Sequence, residues 1–170
     1  MQAIALGLAL PEDRFEAMLA RPMSSFRLIH YPPQAVRPPA PDETGCGAHS
    51  DYGCLTILAQ DAIGGLEIQT RDGRWIDAPP IPGSFVLNVG DMLARWTNHR
   101  FVSTPHRVVN RSGGDRYSLP YFFDPAMDAM IECLPGCAGP GNPPRYETMR
   151  YGDYLMERLD KNYNYRMGRT

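Results

Sequence analysis

The chain has 170 residues, a length that predicts one domain with a substantial single core. Charged residues make up 21% of the sequence and nearly cancel to a formal charge of −2, so there is no basic field to attract a nucleic acid. We therefore expect a small-molecule partner and no nucleic-acid partner.

The N-terminal segment, residues 1–24, is predicted to be helical. Its first ten residues are apolar, but the run is short, lacks a basic beginning and reaches a proline, so it predicts neither a signal peptide nor a membrane span. A helix is expected over about Pro11–Ala20. The apolar start resembles a segment that has lost a neighbour, which predicts truncation and self-association through this N-terminal face. Three apolar residues of the helix recur at helical spacing, namely Phe15, Met18 and Leu19.

The middle of the chain, residues 25–125, is predicted to be a β core. Its prolines and glycines, 17 and 16 in the whole sequence, divide it into short pieces typical of antiparallel sheets. Hairpin turns are expected at Gly64-Gly65 and, more strongly, at Asp72-Gly73. The stretch Pro38–Gly47 is predicted to be a loop. The predicted strands are Phe26–Tyr31, Leu55–Leu58, Leu66–Thr70, Trp75–Ala78, Ser84–Val89, His106–Asn110 and Tyr117–Phe123.

The C-terminal part, residues 126–170, is predicted to be a connector followed by a helix. A proline-rich run, Pro135–Pro144, leads to a helix over about Tyr151–Asn162 that carries one apolar stripe. Terminal helices around seven or eight short strands predict a mainly β fold, a jelly-roll barrel of two sheets.

The four cysteines form no Cys-x-x-Cys pair. Cys133 and Cys137 are loosely spaced and lack a second ligand pair, which argues against a zinc site there. Free thiols are typical of the cytoplasm, where we expect this protein to be.

Two histidines and an aspartate form a candidate metal site. His49 and Asp51 are two positions apart in an extended segment, so their side chains should project the same way. His106 follows after room for about four strands and begins an apolar run, so we expect it to project from a strand. Two imidazoles and one carboxylate match the facial triad of non-haem Fe(II), which leaves coordination positions open.

Arg116 and Ser118 form a candidate carboxylate anchor beside that metal. They share one face of a predicted strand, and an arginine inside a barrel is costly unless a partner neutralises it. A guanidinium binds a carboxylate through two hydrogen bonds, and the serine hydroxyl would add a third. The residues of the opposite strand face are predicted to be packing residues, namely Tyr117, Leu119, Tyr121 and Phe123.

With these residues assembled, the chain resembles the isopenicillin N synthase-like group of Fe(II)/2-oxoglutarate-dependent dioxygenases. The similarity runs from about Ser25 to Asp124. It rests on four motifs: His49-x-Asp51, Asn88-Val89-Gly90-Asp91, Ser103-Thr104-Pro105-His106-Arg107-Val108 and Arg116-Tyr117-Ser118.

The resemblance implies a fold and a set of roles. The fold would be a double-stranded β-helix (a cupin-like jelly roll) in which His49, Asp51 and His106 bind iron. Arg116 and Ser118 would hold the distal carboxylate of 2-oxoglutarate, and the Tyr31 hydroxyl would join them. Two residues of the second motif are predicted to be structural and to lie in a turn between strands: Asn88 and Asp91.

The implied reaction is oxidation of an unactivated C–H bond in a small organic substrate by hydroxylation, desaturation or cyclisation. O2 and 2-oxoglutarate would be consumed, with ascorbate as a candidate reductant. Two branches, isopenicillin N synthase and aminocyclopropanecarboxylate oxidase, keep Arg-x-Ser without consuming 2-oxoglutarate. The motif therefore implies a bound carboxylate more strongly than it identifies which one.

Two alternatives stay open at this point. The same two histidines and aspartate would suit a zinc hydrolase, because catalytic zinc takes three protein ligands and water. A metal-binding but non-catalytic truncated barrel would also carry these residues. Six side chains are candidates to line the substrate pocket, although packing or exposure is the favoured interpretation of each: Arg95, Trp96, His99, Phe101, Phe122 and Tyr163.

Overall fold

The computed structural model describes residues 1–33 and 45–162. In chain order the strands of this part are β1 Met23–Phe26, β2 Ile29–Tyr31, β3 Cys46–His49, β4 Leu55–Gln60, β5 Leu66–Gln69, β6 Trp75–Asp77, β7 Val86–Val89, β8 His106–Val108, β9 Arg116–Asp124, β10 Met130–Ile131 and β11 Met149–Arg150. The helices are α1 Gln2–Gly7, α2 Glu16–Leu19, α3 Asp91–Trp96 and α4 Tyr151–Asn162.

Two antiparallel sheets make up the barrel. The larger is built on β9, which pairs with β1 and β2 along one side and with β4 along the other, and β4 also pairs with β7. The second sheet has the order β3-β8-β5-β6. Residues from both sheets line one cavity, so the sheets face each other across it. The predicted mainly β jelly roll is confirmed.

Apolar packing is divided between two clusters. The larger cluster joins α1, α3 and α4 to one end of the larger sheet, and its members include Leu93 and Trp96, neither of which is exposed. The smaller cluster lies between the two sheets and contains Tyr31, Leu66 and Val108 as its buried members. The space between the sheets is therefore only partly filled by apolar side chains.

The two predicted turns have different outcomes. Asp72-Gly73 joins the paired strands β5 and β6 as expected, and Gly73 adopts a positive φ of 84°. Gly64-Gly65 is not a hairpin, because β4 and β5 belong to different sheets and the chain crosses between the sheets here. A Cβ on Gly65 would lie 2.6 Å from the carbonyl oxygen of Val109, so this crossover needs a residue without a side chain.

Several boundaries differ from the sequence prediction. The expected helix Pro11–Ala20 is helical only at α2, since i→i+3 turn bonds such as Glu16 N–H to the Asp13 carbonyl occupy its first part. The expected strand Phe26–Tyr31 is two strands, β1 and β2. The expected loop Pro38–Gly47 falls partly outside the described residues, and its last two positions belong to β3.

Helices show one agreement and one omission. The C-terminal helix α4 has the predicted bounds, whereas α3 was expected to be part of a turn. The sequence of α3 is short and lacks a side-chain cap, so its pattern is hard to recognise without the packing that buries it. Throughout the described part of the chain, every helix is too short or too polar to cross a bilayer.

Candidate metal centre

Three predicted ligands converge at one end of the cavity. β3 ends at His49, β8 begins at His106, and these two residues are direct partners across the strand pair. Asp51 Oδ1 lies 3.9 Å from His49 Nε2 and 3.6 Å from His106 Nε2. Two atoms that are each about 2.1 Å from a shared ion can be at most about 4.2 Å apart, so these distances suit one metal.

Both imidazoles present the same nitrogen to the aspartate. His49 Nδ1 lies 2.8 Å from the carbonyl oxygen of Gly47, and His106 Nδ1 lies 3.1 Å from that of Thr104. An Nδ1–H that donates to a carbonyl leaves the Nε2 lone pair free for a metal. A hydrogen bond with the Cys46 sulfur raises the pKa of His49 to about 9, so a metal would compete with a proton for this ring.

The aspartate is held by two donors from the larger sheet. Asp51 is 5% exposed, and its Oδ2 accepts hydrogen bonds from Thr56 Oγ1 at 2.6 Å and from Asn88 Nδ2 at 2.7 Å. Thr56 and Asn88 are direct partners across β4 and β7, so one register places both. Oδ1 is left facing the two imidazoles. Asn88, predicted as a structural turn residue, therefore lies in β7 and contacts a candidate ligand.

The loop that carries Asp51 is also held by contacts with Asp91, at the start of α3. Ser50 is not part of the cavity lining, and its hydroxyl donates to Asp91 Oδ2 at 3.0 Å. The Asp91 backbone N–H donates to the Asp51 carbonyl at 2.8 Å, and Arg158 of α4 pairs with the Asp91 carboxylate at 2.5 Å. A Cβ on Gly90 would collide with the Gly53 carbonyl. The Asn-x-Gly-Asp motif thus positions the metal loop.

The predicted carboxylate anchor is assembled by strand pairing. Tyr31 is the direct partner of Arg116 across β2 and β9, and Ile29 is the partner of Ser118. The Arg116 guanidinium carbon lies 4.9 Å from the centre of the Tyr31 ring. Burial lowers the pKa of Arg116 and raises the pKa of Tyr31. Arg116, Ser118 and the Tyr31 ring therefore share one wall of the cavity.

Arg116 is fully buried with an unused donor. Its Nε donates to the Gly64 carbonyl at 2.5 Å, and one terminal nitrogen donates to Gln60 Oε1 at 3.3 Å. The other terminal nitrogen is buried with no hydrogen-bond partner within the described ranges, and no carboxylate there lies within ion-pair distance. Such a group is costly unless an acceptor is supplied, so this site fits a ligand carboxylate.

The cavity has a volume of about 140 Å³ and includes all six predicted site residues in its lining. Of the further candidates for its wall, Phe122 lines the cavity, whereas Trp96 is fully buried in the larger cluster. Tyr163 lies outside the described residues. The remaining three are not among the lining residues: Arg95, His99 and Phe101. On the opposite face of β9, Tyr117 is 51% exposed and stacks on His30. The prediction that Tyr117 is a packing residue of the core is therefore wrong.

Comparison with known proteins identifies the family. Residues 22–125 match the family model described as the 2OG-Fe(II) oxygenase superfamily. The chain is 43% identical to homoarginine-6-hydroxylase 2-ODD-233 of Oryza sativa, over 96% of this chain and 51% of that protein. It is 35% identical to the 2-oxoglutarate-Fe(II) type oxidoreductase hxnY of Emericella nidulans, over 96% of this chain and 47% of that protein.

A solved structure agrees with these relatives. A full-length Neurospora crassa protein, crystallised with alpha-KG and thymine, superposes with a TM-score of 0.89 and 36% identity, over 96% of this chain and 51% of that one. The chain spans about half the length of the curated relatives it matches. The family match, the relatives and the barrel agree: this chain belongs to the 2OG-Fe(II) oxygenase superfamily.

Proposed function

We propose that this chain is the catalytic barrel of an Fe(II)- and 2-oxoglutarate-dependent dioxygenase that oxidises a small organic substrate. One observation carries the proposal. A single cavity holds three convergent metal-ligand atoms at one place and, on its wall, a buried guanidinium whose free N–H lacks an acceptor within the described residues. A metal alone would leave that donor unsatisfied, whereas a metal chelated by a dicarboxylate satisfies both.

Each site residue has a role in this proposal. His49, Asp51 and His106 would hold Fe(II). Arg116 and Ser118 would hold the distal carboxylate of 2-oxoglutarate, and the Tyr31 hydroxyl would also bind it. When bound with O2, iron and 2-oxoglutarate supply the oxidising chemistry. The chain supplies position, charge and exclusion of water.

The supporting residues determine geometry rather than chemistry. Thr56 and Asn88 donate to one oxygen of Asp51 and thereby direct the other toward the imidazoles. The hydrogen bonds at Nδ1 fix both ring orientations. Such outer contacts commonly change metal affinity by about 10- to 100-fold when they are removed.

Finer assignments are part of the same proposal. The four motifs support placement in the isopenicillin N synthase-like group, and ascorbate is the reductant we propose for it. The four cysteines are all free thiols, which supports the predicted cytoplasmic location. The zinc hydrolase and the non-catalytic binder find no support among the relatives, which are oxidoreductases and hydroxylases by name.

The test is release of succinate from 2-oxoglutarate by the purified chain supplied with Fe(II) and O2. We expect succinate from the wild type, and none above background from Asp51→Ala. Asp77→Ala is the matched control, because Asp77 is an exposed aspartate of β6 outside the cavity. Metal binding with no succinate would instead identify a non-catalytic binder, and bound zinc with neither iron nor succinate would support a hydrolase.

We also propose that the chain self-associates, as its apolar N-terminus predicts, but through the outer face of the larger sheet and not through the N-terminal segment itself. Ala5 and Leu8 of the N-terminal segment are buried in the larger cluster, yet Phe26 and Leu87 on the sheet face are 58% and 61% exposed. Light scattering should detect dimers that Leu87→Glu dissociates. A monodisperse wild-type monomer would contradict this proposal.

A further inference from the structure

The cavity contains a second cation that the proposed cosubstrate does not use. Arg27 lies in the break between β1 and β2, where its backbone N–H donates to the Pro120 carbonyl at 3.0 Å. Its guanidinium carbon lies 5.2 Å from the centre of the Phe122 ring, and both residues line the cavity. Within residues 1–33 and 45–162, no carboxylate lies within ion-pair distance of it. Arg27 is an exposed residue of the cavity lining and is available to a ligand.

The two arginines lie at different places along one strand wall of the cavity. Arg116, Ser118, Pro120 and Phe122 occupy alternate positions of β9 and line the cavity. The Arg27 backbone bonds to Pro120, four residues along the strand from Arg116, which is roughly 13 Å at about 3.3 Å per residue. In the proposed function one carboxylate of 2-oxoglutarate is held by Arg116 and the other is at the metal, so neither is left for Arg27. Arg27 therefore serves a different ligand.

Strand register places the metal loop beside Phe122. Phe122 is the direct partner of Thr56 across β9 and β4, and Thr56 donates to the candidate ligand Asp51. A molecule lying on the Phe122 ring is therefore beside the residue that holds the metal ligand. This is the part of the cavity that the Arg116 anchor leaves free for a primary substrate.

The charges of the cavity lining indicate which charged group the substrate carries. Asp51 is the one carboxylate among the described residues of the cavity lining, and a metal cation on it would cancel its charge. The surroundings of Arg27 would then be positive, with no anion from the described part of the chain. We propose that Arg27 is a specificity-determining residue that binds the carboxylate of an organic-acid substrate whose carbon skeleton packs on Phe122. This inference rests on the proposed oxygenase function, and it adds the substrate class.

The experiment compares acids with their neutral amides. Phenylacetate and 3-phenylpropionate, each with its primary amide, are titrated by calorimetry into the chain loaded with Fe(II) and 2-oxoglutarate without oxygen. A charge-assisted hydrogen bond should make each acid bind at least about tenfold more tightly than its amide. Arg27→Gln should remove that preference. Arg27→Lys should restore part of it, because an ammonium keeps the charge but not the forked contact.

Arg21→Gln is the matched control, since Arg21 is an exposed arginine just before β1 that pairs with Asp128 outside the cavity. It should keep the full preference for acids. Equal binding of acids and amides, binding of neither class, or an unchanged preference in Arg27→Gln would each overturn the inference. Binding of 2-oxoglutarate to the wild type is measured first, before the acids are added. If the wild type does not bind 2-oxoglutarate, the proposed function is overturned instead.

Discussion

The two apolar regions of this protein differ in what they surround. The larger cluster, between the helices and one end of the larger sheet, is closed around side chains such as Leu93 and Trp96. The smaller cluster, between the two sheets, has three buried apolar members and adjoins a cavity with two arginines, an aspartate and two histidines in its lining. The inside of the barrel is therefore not the main hydrophobic core.

The two regions contribute differently to the stability of the fold and to ligand binding. Apolar burial stabilises a fold by roughly 25 cal/mol per Å², and most of the fully buried apolar side chains belong to the larger cluster. Polar groups between the sheets cost free energy that ligands would offset on binding. We therefore expect substitutions in the larger cluster to change unfolding, and substitutions in the cavity to change binding.

The largest expected effect is on the free energy of unfolding, when a leucine in each cluster is replaced by alanine. Leu93→Ala leaves an enclosed void and should lower the free energy of unfolding by about 4–5 kcal/mol. Leu66→Ala removes a side chain beside an existing cavity and should cost about 2–3 kcal/mol. Urea unfolding of the two variants measures both values. Equal losses would show that the two clusters stabilise the protein alike.

The next effect concerns the anchor. Arg116→Ala should weaken 2-oxoglutarate binding by about 2–5 kcal/mol, because a buried charge-assisted pair is lost, while iron affinity stays nearly unchanged. Arg116→Lys should recover only part. Calorimetry under anaerobic conditions measures these affinities, with Arg71→Ala at an exposed position as the control. Undiminished 2-oxoglutarate affinity in Arg116→Ala would remove this residue from the site.

A smaller effect should follow from the residues that orient Asp51. Asn88→Ala removes a donor to its Oδ2 and should lower iron affinity about 10- to 100-fold with little change in unfolding. Asn142→Ala is the control, because Asn142 is exposed and is not part of the cavity lining. An iron titration that gives the same affinity for Asn88→Ala and the wild type would show that this contact is only structural.

The smallest effect is a pH dependence at Asp124. Burial raises the pKa of this carboxyl above its usual value, while the Cys54 backbone N–H partly opposes the shift. The folded state therefore holds the proton more tightly than the unfolded state, and stability falls as pH rises from the unfolded pKa through the raised folded pKa. Asp124→Asn should be more favourable relative to the wild type at pH 7 than at pH 3. Urea unfolding at both values tests this, and an opposite trend would contradict it.

Local patterns in the sequence predicted much of the site. Residues at i and i+2 of an extended segment share a face wherever the segment goes, so His49 with Asp51 and Arg116 with Ser118 were predictable pairs. The stripe of α4 was similarly local, and its bounds agree with the structure. The family motifs then supplied the third ligand, which no local spacing connects to the other two.

Contacts that depend on register were not predictable in this way. Thr56 reaches Asp51 because β4 pairs with β7 and β9 in one particular register, and no pattern near Thr56 signals it. Arg27 belongs to a break in what looks like one continuous strand. The Gly64-Gly65 pair carries a turn signal, but only the assignment of β4 and β5 to different sheets makes it a crossover.

The most direct test of the account is an anaerobic titration of the chain with Fe(II) in the presence of 2-oxoglutarate, followed by measurement of bound iron. Convergence of His49, Asp51 and His106 predicts one iron per chain in the wild type and in Asp77→Ala. Binding should be lost in Asp51→Ala and in His106→Ala. Full iron binding by either of these two variants would contradict the assignment of the metal centre.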